Sequence, residues 1–159
     1  MNIFVLDKNI EKCAQFHCDQ HVIKMILESA QILCTTLNKL GFDTPYKTTH
    51  EKHPCVLWTG KSYSNFIWLS NLAYALNEEY KYRYKKNIDH RSINVIQQIQ
   101  KSKYSDSGLT EFVQAMPDKY QVPHDPVTAY RNFYNYDKSK FATWTRRQEP
   151  YWFKRLNKK

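Results

Sequence analysis

HCDQHVIKMILESAQ, residues 17–31, is the stretch around which the rest of the chain is organised. As an α-helix, at about 100° per residue, it places five polar side chains on one narrow stripe. These are His17, His21, Lys24, Glu28 and Gln31. The remaining surface is mostly apolar, and its flank is extended by Ile23, Leu27, Ala30 and Cys34. The pattern predicts a helix that is mostly buried. An ordinary surface helix has a broad polar face and one apolar stripe, whereas this helix has a broad apolar face and one polar stripe.

The polar stripe has two interpretations. Ionisable groups are costly to bury unless they are paired or used in chemistry, which makes the stripe a candidate active site. The alternative is a solvated helix edge, and the pattern alone fits both.

The length and composition predict the fold class. The chain has the length of one domain, which we assign to residues 1–159. It has only 3 glycines, and its apolar residues are mostly spaced as in helices, so we predict an all-α fold. The expected architecture is a compact bundle around a long, largely buried N-terminal helix. That helix is predicted to run from capping residues in 7–11 to Leu40, with Gly41 as its stop. Further helices are predicted from Pro54 to about Lys86, from Ser92 to Lys101, after Asp106 and after Asp125.

The N-terminal segment and the cysteines predict a cytoplasmic protein. The apolar run of residues 1–6 is too short for a signal peptide, and we expect it to pack against the body of the protein. The 4 cysteines are therefore predicted to be reduced thiols of a cytoplasmic protein, without a disulfide framework. No apolar run approaches the length of a membrane span, so no membrane partner is predicted.

The net charge of +9 comes from two basic blocks. Residues 81–103 contain seven basic residues and one acidic residue, and residues 138–159 contain eight and one. Both blocks are interleaved with aromatic residues, among them Trp152 and Phe153 in the second. Cations beside flat rings are typical of a nucleic-acid surface, so we predict a nucleic-acid partner. The alternative is a solvated basic face with tyrosines packed beneath it.

A metal site is one chemistry that the stripe allows. The candidate zinc ligands are His17, His21, Cys13, Cys18, His50 and His53. Their spacing is weak evidence, since no CxxC pair is present and Cys18 points about 100° away from His17 on a helix. We predict no metal and no cofactor.

An amine nucleophile is the second chemistry. Lys24 or the α-amino group of Met1 would attack a carbonyl-like carbon, and Glu28 would handle protons and charge. Lys24 and Glu28 also have the spacing of a plain i, i+4 helix pair. The third possibility is a non-catalytic nucleic-acid module in which the imidazoles and Lys24 contact phosphates, although Glu28 would repel them.

Two motifs resemble a known family. Asp19-Gln20-His21, followed seven positions later by Glu28, resembles the signature helix of the phage pyrimidine-dimer DNA glycosylase/AP lyase family of the endonuclease V type. The tail PYWFK, residues 150–154, is similar to the Pro-x-Trp-Tyr-Lys with which that family ends.

The resemblance implies a compact α-helical domain that binds duplex DNA, flips a nucleotide and cleaves an N-glycosidic bond. In that family an amino-terminal amine attacks the sugar carbon to give an imine, and the helix glutamate supports this step and strand cleavage. The residues carried over are Glu28 as the catalytic carboxylate, His21 as a helper, and Trp152 and Phe153 as substrate contacts. Cleavage of the bond develops positive charge on the sugar, which a nearby carboxylate stabilises.

This chain departs from the family pattern in two features, the nucleophilic amine and the arginines that bind DNA. The family exposes its amine by removing Met before a small residue, whereas Asn2 is bulky and Met1 is expected to stay. The family helix also carries DNA-binding arginines where this chain has Leu27 and Gln31.

The leading prediction is a DNA glycosylase that acts on double-stranded DNA in the cytoplasm, that of the host if the protein is viral. The catalytic residues are predicted to be Glu28, Lys24, His21, His17 and Met1. The predicted substrate contacts are Asn2, Gln31, His50, His53, Arg146, Arg147, Trp152 and Phe153. The alternatives are an N-glycosidase of a free nucleotide or nucleotide-derived signal, and a non-catalytic nucleic-acid binder.

Overall fold

A computed structural model describes residues 1–157 of the chain. Within that range it contains a 3-10 turn at Asp118–Tyr120, a π-helical turn at Tyr134–Lys138 and no β-strand. Its α-helices are α1 Ile10–Phe16, α2 Asp19–Lys39, α3 Pro54–Lys61, α4 Tyr63–Tyr84, α5 Arg91–Ile99 and α6 Pro126–Phe133. The predicted all-α fold is confirmed. Over these residues no helix combines the length and the apolar character needed to cross a membrane.

Helix α2 lies at the centre of the bundle and packs on α3, α4 and α5. Most of its 21 residues are buried, as the sequence predicts. Arg83 near the end of α4 pairs with Asp19 at the start of α2. At the other end, Gly60, just before α4, lies beside Thr36 of α2. Helices α2 and α4 are therefore antiparallel.

The sequence predicts one uninterrupted helix up to Leu40. This prediction is wrong at its start, because the helix is interrupted between α1 and α2. His17 is extended, with φ −62° and ψ 134°. Its carbonyl accepts a hydrogen bond from Arg83 at 2.7 Å, and the amide of Asp19 donates to the carbonyl of Thr143 at 2.8 Å. Partners distant in sequence thus replace the helical hydrogen bonds at this point. The C-terminal stop is confirmed, since Gly41 has φ +94°.

The second long helix that the sequence predicts is also two helices, separated at Ser62. The side chain of Ser62 donates to the carboxylate of Asp106 at 2.7 Å and accepts from the amide of Ser107 at 3.0 Å. The same carboxylate oxygen accepts from the amide of Ser64 at 3.0 Å, which caps the start of α4. The break therefore depends on a loop more than 40 residues away, which no local pattern reveals.

That loop does not form the helix predicted after Asp106. The side chain of Asn65 accepts from the amide of Thr110 at 3.0 Å, and the indole of Trp58 donates to the carbonyl of Glu111 at 2.9 Å. These bonds hold the segment extended along α3 and α4. By contrast, α5 matches its predicted range to within two residues, and α6 begins as predicted, with Asp125 as its N-cap.

The N-terminal segment packs against the body, as predicted. Residues 3–6 are almost entirely buried. The carbonyl of Leu6 accepts a hydrogen bond from the guanidinium of Arg131 at 3.0 Å. This placement brings the start of the chain onto the middle of α2.

A buried ion cluster joins α2 and α4. The side chain of Arg83 is fully buried and contacts the carboxylates of Glu79 and Asp19, each at 3.1 Å. Glu79 also receives two hydrogen bonds from Arg147, at 3.0 and 2.7 Å. The charges are mutually compensated, which is the condition for keeping them away from water.

We expect Arg83→Met to lower the free energy of unfolding by about 3–5 kcal/mol, because it leaves buried carboxylate and carbonyl groups without their donor. Urea denaturation measures this change. The matched control is Arg91→Met at the exposed start of α5, for which a change within about 0.5 kcal/mol is expected. Equal effects of the two substitutions would contradict a structural role for the cluster.

Candidate active site

The α-amino group of Met1 lies 2.8 Å from the Oε1 atom of Glu28. The side chains of Met1 and Glu28 are nearly buried, with 4% and 8% of their surfaces exposed, whereas Met1 as a whole residue is partly exposed. The ammonium group of Lys24 approaches the other carboxylate oxygen of Glu28 at 3.7 Å, and its side chain is 67% exposed. The three groups that the sequence analysis named for amine chemistry are therefore brought together by the fold. The Met1 amine is the one in close contact with the buried carboxylate, whereas Lys24 lies at the rim.

Asn2 fixes the position of Met1. Its side-chain amide donates to the carbonyl of Ala115 at 2.8 Å, and its Oδ1 accepts from the amide of Ile3 at 2.7 Å. The same oxygen accepts from the hydroxyl of Tyr130 at 3.3 Å and lies 3.5 Å from the thiol of Cys55. Protein groups occupy the polar atoms of Asn2, and its predicted role as a substrate contact stays untested.

Tyr130 and Cys55 belong to the site although the sequence analysis did not select them. They reach Asn2 from 128 and 53 positions away. Neither stands in a motif with Glu28, so their contribution is visible only in the folded chain.

His53 borders the site from the start of α3. Its Nδ1 atom accepts a hydrogen bond from the amide of Cys55 at 3.0 Å, which leaves Nε2 as the ring atom available to a substrate. Burial lowers the pKa of His53, and the positive charges of the Met1 amine and His50 lower it further, against the opposing effect of Glu28. His50 is exposed and hydrogen-bonded to Thr49.

The structure corrects the predicted stripe at His17, whereas the predicted catalytic roles of His17 and His21 stay untested. His17 lies outside α2, is fully buried and bonds to the carbonyl of Cys13 at 2.7 Å. His21 lies on α2, where it stacks on Phe4 and its Nδ1 atom is 2.6 Å from the hydroxyl of Tyr134. Burial lowers the pKa of His17 to about 4 and, with the nearby charges of His17, Lys138 and Lys24, that of His21 to about 2. Both imidazoles are neutral core groups near pH 7.

These two histidines make stability dependent on pH. Below the ordinary pKa of 6.5 the unfolded chain binds protons that the folded chain excludes, so stability falls as the pH drops from 6.5 towards the folded values. We expect each histidine to contribute about 2 kcal/mol to the loss between pH 7 and pH 5. His53 and His90, whose pKa values burial also lowers, act in the same direction.

Urea denaturation at pH 7 and at pH 5 tests this expectation. His21→Gln keeps a polar partner for Tyr134 but does not titrate, so it should remove about 2 kcal/mol of the difference between the two pH values. Carboxylates with ordinary pKa values near 4 remain mostly ionised at pH 5 and disturb the comparison little. An unchanged difference would mean that His21 is protonated in the folded state.

The predicted cationic clamp of Arg146 and Arg147 does not surround Glu28. Arg147 pairs with Glu79, and both guanidinium groups lie 4.4 Å from the ring centre of Tyr82. Through Arg83 this cluster connects to Asp19, which is nine residues from Glu28 and therefore on the opposite face of α2. The first basic block is divided too, because its lysines are distributed between the two ends of α4 and one of its arginines, Arg83, is buried.

The aromatic tail residues pack into the protein. Trp152 is half-buried and contacts Phe16 and Tyr134, with ring centroids 5.7 and 6.0 Å apart. Phe153 lies against Trp144 at 4.6 Å. Their packing does not place them beside Glu28, so their predicted role as substrate contacts stays untested.

Gln31 lies on the accessible side of α2. With Leu27 and residues 46–49 it lines a depression of about 380 Å³. Within residues 1–157, no three His, Cys, Asp or Glu side chains are grouped so that they could hold a metal ion. The four cysteines are free thiols and buried.

The model of the pyrimidine dimer DNA glycosylase family matches residues 1–92, more than half of the chain. The chain belongs to this family. The matched range contains Met1, Lys24, Glu28 and His53. It ends before the tail motif. No curated protein and no solved structure gave a significant match.

Proposed function

We propose that this pyrimidine dimer DNA glycosylase family member cleaves an N-glycosidic bond in damaged double-stranded DNA and uses the α-amine of Met1 as its nucleophile. The observation that carries the proposal is the 2.8 Å contact between that amine and Glu28. A family model that names a DNA glycosylase supports the reaction class and the DNA substrate. We further propose that the enzyme acts in the cytoplasm.

The first step requires the amine without its proton. Glu28 accepts this proton, because its Oε1 atom lies 2.8 Å from the Met1 nitrogen. The amine lone pair then attacks C1′ of the sugar, and the bond from C1′ to the base breaks with its electron pair going to the base. Glu28 stabilises the positive charge that develops on the sugar.

The second step gives the imine. The nitrogen bonded to C1′ gives its second proton to the departing base and so regains a lone pair. The bond from C1′ to the ring oxygen then breaks, and the oxygen takes the electron pair and the proton that Glu28 holds. The nitrogen lone pair forms the double bond to C1′, which gives a protonated imine. Lyase activity would follow from this imine by loss of a proton at C2′ and departure of the 3′ phosphate. His53, with Nε2 free, is proposed to donate a hydrogen bond to the bound sugar or phosphate. Lys24 is proposed to contact a phosphate at the rim of the site.

Borohydride trapping on abasic and on dimer-containing duplex DNA tests the proposal. We expect a covalent complex with the mass of the protein plus DNA, together with base release from a damaged substrate. Absence of any adduct, combined with no base release from a panel of lesions, would remove the amine mechanism.

A related enzyme acting on a free nucleotide is the second candidate, since the pair of Met1 and Glu28 would serve the same bond cleavage there. The salt dependence of binding distinguishes the DNA substrate from the free nucleotide. Affinity for a duplex that several lysines contact should fall steeply with added salt, whereas affinity for a single nucleotide should change much less.

A further inference from the structure

Two large aliphatic side chains lie exposed on the most buried helix of the protein. Ile23 and Leu27 each retain 39% of their surface, although the sequence pattern assigns them to the buried flank of α2. They are four residues apart and therefore adjacent along one face of the helix. Lys24, between them in sequence, is exposed as well. We call Ile23 and Leu27 the apolar ridge.

The apolar ridge adjoins the reactive pair. Leu27 immediately precedes Glu28, whose carboxylate holds the Met1 amine. On its other side Leu27 borders the depression of about 380 Å³ that Gln31 and residues 46–49 line. That loop presents Lys47, which is exposed. The ridge thus has the proposed nucleophile on one side and cations beside it.

We propose that the apolar ridge packs against the base stack of duplex DNA beside the nucleotide that the enzyme attacks. This inference rests on the proposed function and assigns a substrate surface to it. Extruding a nucleotide costs a few kcal/mol of stacking and pairing, and apolar wedges at a base step offset part of that cost. An aliphatic side chain contacts the faces of bases rather than phosphates, while Lys24 and Lys47 are positioned for the backbone on either side.

Charge favours DNA over a second copy of the chain as the occupant of this surface. The net charge of +9 and the lysines that flank the ridge oppose self-association and attract a polyanion. A phosphate backbone would complement these lysines, whereas another basic protomer would bring like charges together.

The test compares base release from the same lesion in duplex DNA and in single-stranded DNA. Leu27→Ala and Ile23→Ala should each lower kcat/KM for base release from a lesion in duplex DNA by about tenfold, because the lost apolar contact is worth a little over 1 kcal/mol. The same lesion in a single strand has no paired stack to open, so its cleavage should change less than about twofold. Leu27→Met, of similar size, should restore duplex activity. A fluorescent base analogue beside the lesion reports unstacking directly.

Leu40→Ala is the matched control. Leu40 is an aliphatic residue at the end of the same helix, 49% exposed and about 20 Å from Leu27 along the axis. It should leave both substrates unaffected. Equal losses on duplex and single-stranded DNA, or a loss in Leu40→Ala as large as in Leu27→Ala, would overturn the inference.

A dimer that Leu27→Ala dissociates in sedimentation would overturn it as well. If the wild-type protein releases no base and traps on no substrate, the proposed function fails. If the wild type is active and the ridge variants equal it on duplex DNA, only the present inference fails.

Discussion

Glu28→Gln is expected to lower the rate of base release by about 10³-fold or more while leaving duplex DNA bound. The amide neither accepts the proton of the Met1 amine nor carries the negative charge that stabilises the sugar cation, and each effect is typically worth two to three powers of ten. Binding should persist, or become tighter, because a negative group near the phosphates is removed. Single-turnover base release and equilibrium binding at one fixed salt concentration measure the two quantities separately.

Glu78→Gln provides the matched control for this substitution. Glu78 makes an exposed ion pair with Lys81 on α4 and lies away from Met1. It is expected to retain wild-type rates. Circular dichroism at the assay temperature establishes that Glu28→Gln is folded, since the substitution leaves the Met1 amine without its buried partner. A folded Glu28→Gln that releases base at the wild-type rate would rule out Glu28 as the catalytic carboxylate.

Adding one glycine ahead of Met1 is expected to abolish the borohydride adduct and to reduce base release by at least about 10²-fold. The change converts the Met1 nitrogen into an amide, which has no basic lone pair for attack on C1′, and the new α-amine lies one residue away from the position beside Glu28. Lys24→Gln keeps the α-amine, so it should still form the adduct, with weaker binding to DNA and a smaller dependence on salt. Gel detection of the trapped complex gives the comparison directly.

Peptide mapping of the wild-type adduct identifies the nucleophile without the use of any variant. Mass spectrometry should find the reduced sugar on the N-terminal peptide at the Met1 nitrogen. An adduct on Lys24 would reassign the nucleophile to the side chain at the rim. Duplex binding by the glycine-extended protein shows that loss of the adduct reflects chemistry and not unfolding.

The sequence predicts the central features of the molecule because they are encoded locally. The apolar periodicity of α2, the stop at Gly41 and the cap at Asp125 each depend on neighbours within a few residues, and the structure has all three. The pairing of Lys24 with Glu28 follows from helical spacing in the same way. The resemblance to the family is also carried in part by a short motif within residues 17–31, which lies in the matched range 1–92.

Long-range contacts explain what the sequence did not predict. The interruption at His17 arises because Arg83 and Thr143 capture the backbone of α1 and α2, and it removes His17 from the stripe. His21 faces Tyr134 and Phe4 instead of a substrate groove. Composition alone cannot distinguish an arginine that binds phosphate from Arg147, whose guanidinium is paired with the buried carboxylate of Glu79.

The anchoring of Asn2 has a consequence for protein synthesis. Its partners Ala115 and Tyr130 are made more than a hundred residues after it. A nascent chain of 92 residues already contains Met1 and Glu28 but lacks both anchors. The ribosome must therefore synthesise Ala115 and Tyr130 before Asn2 can be anchored beside the pair of Met1 and Glu28.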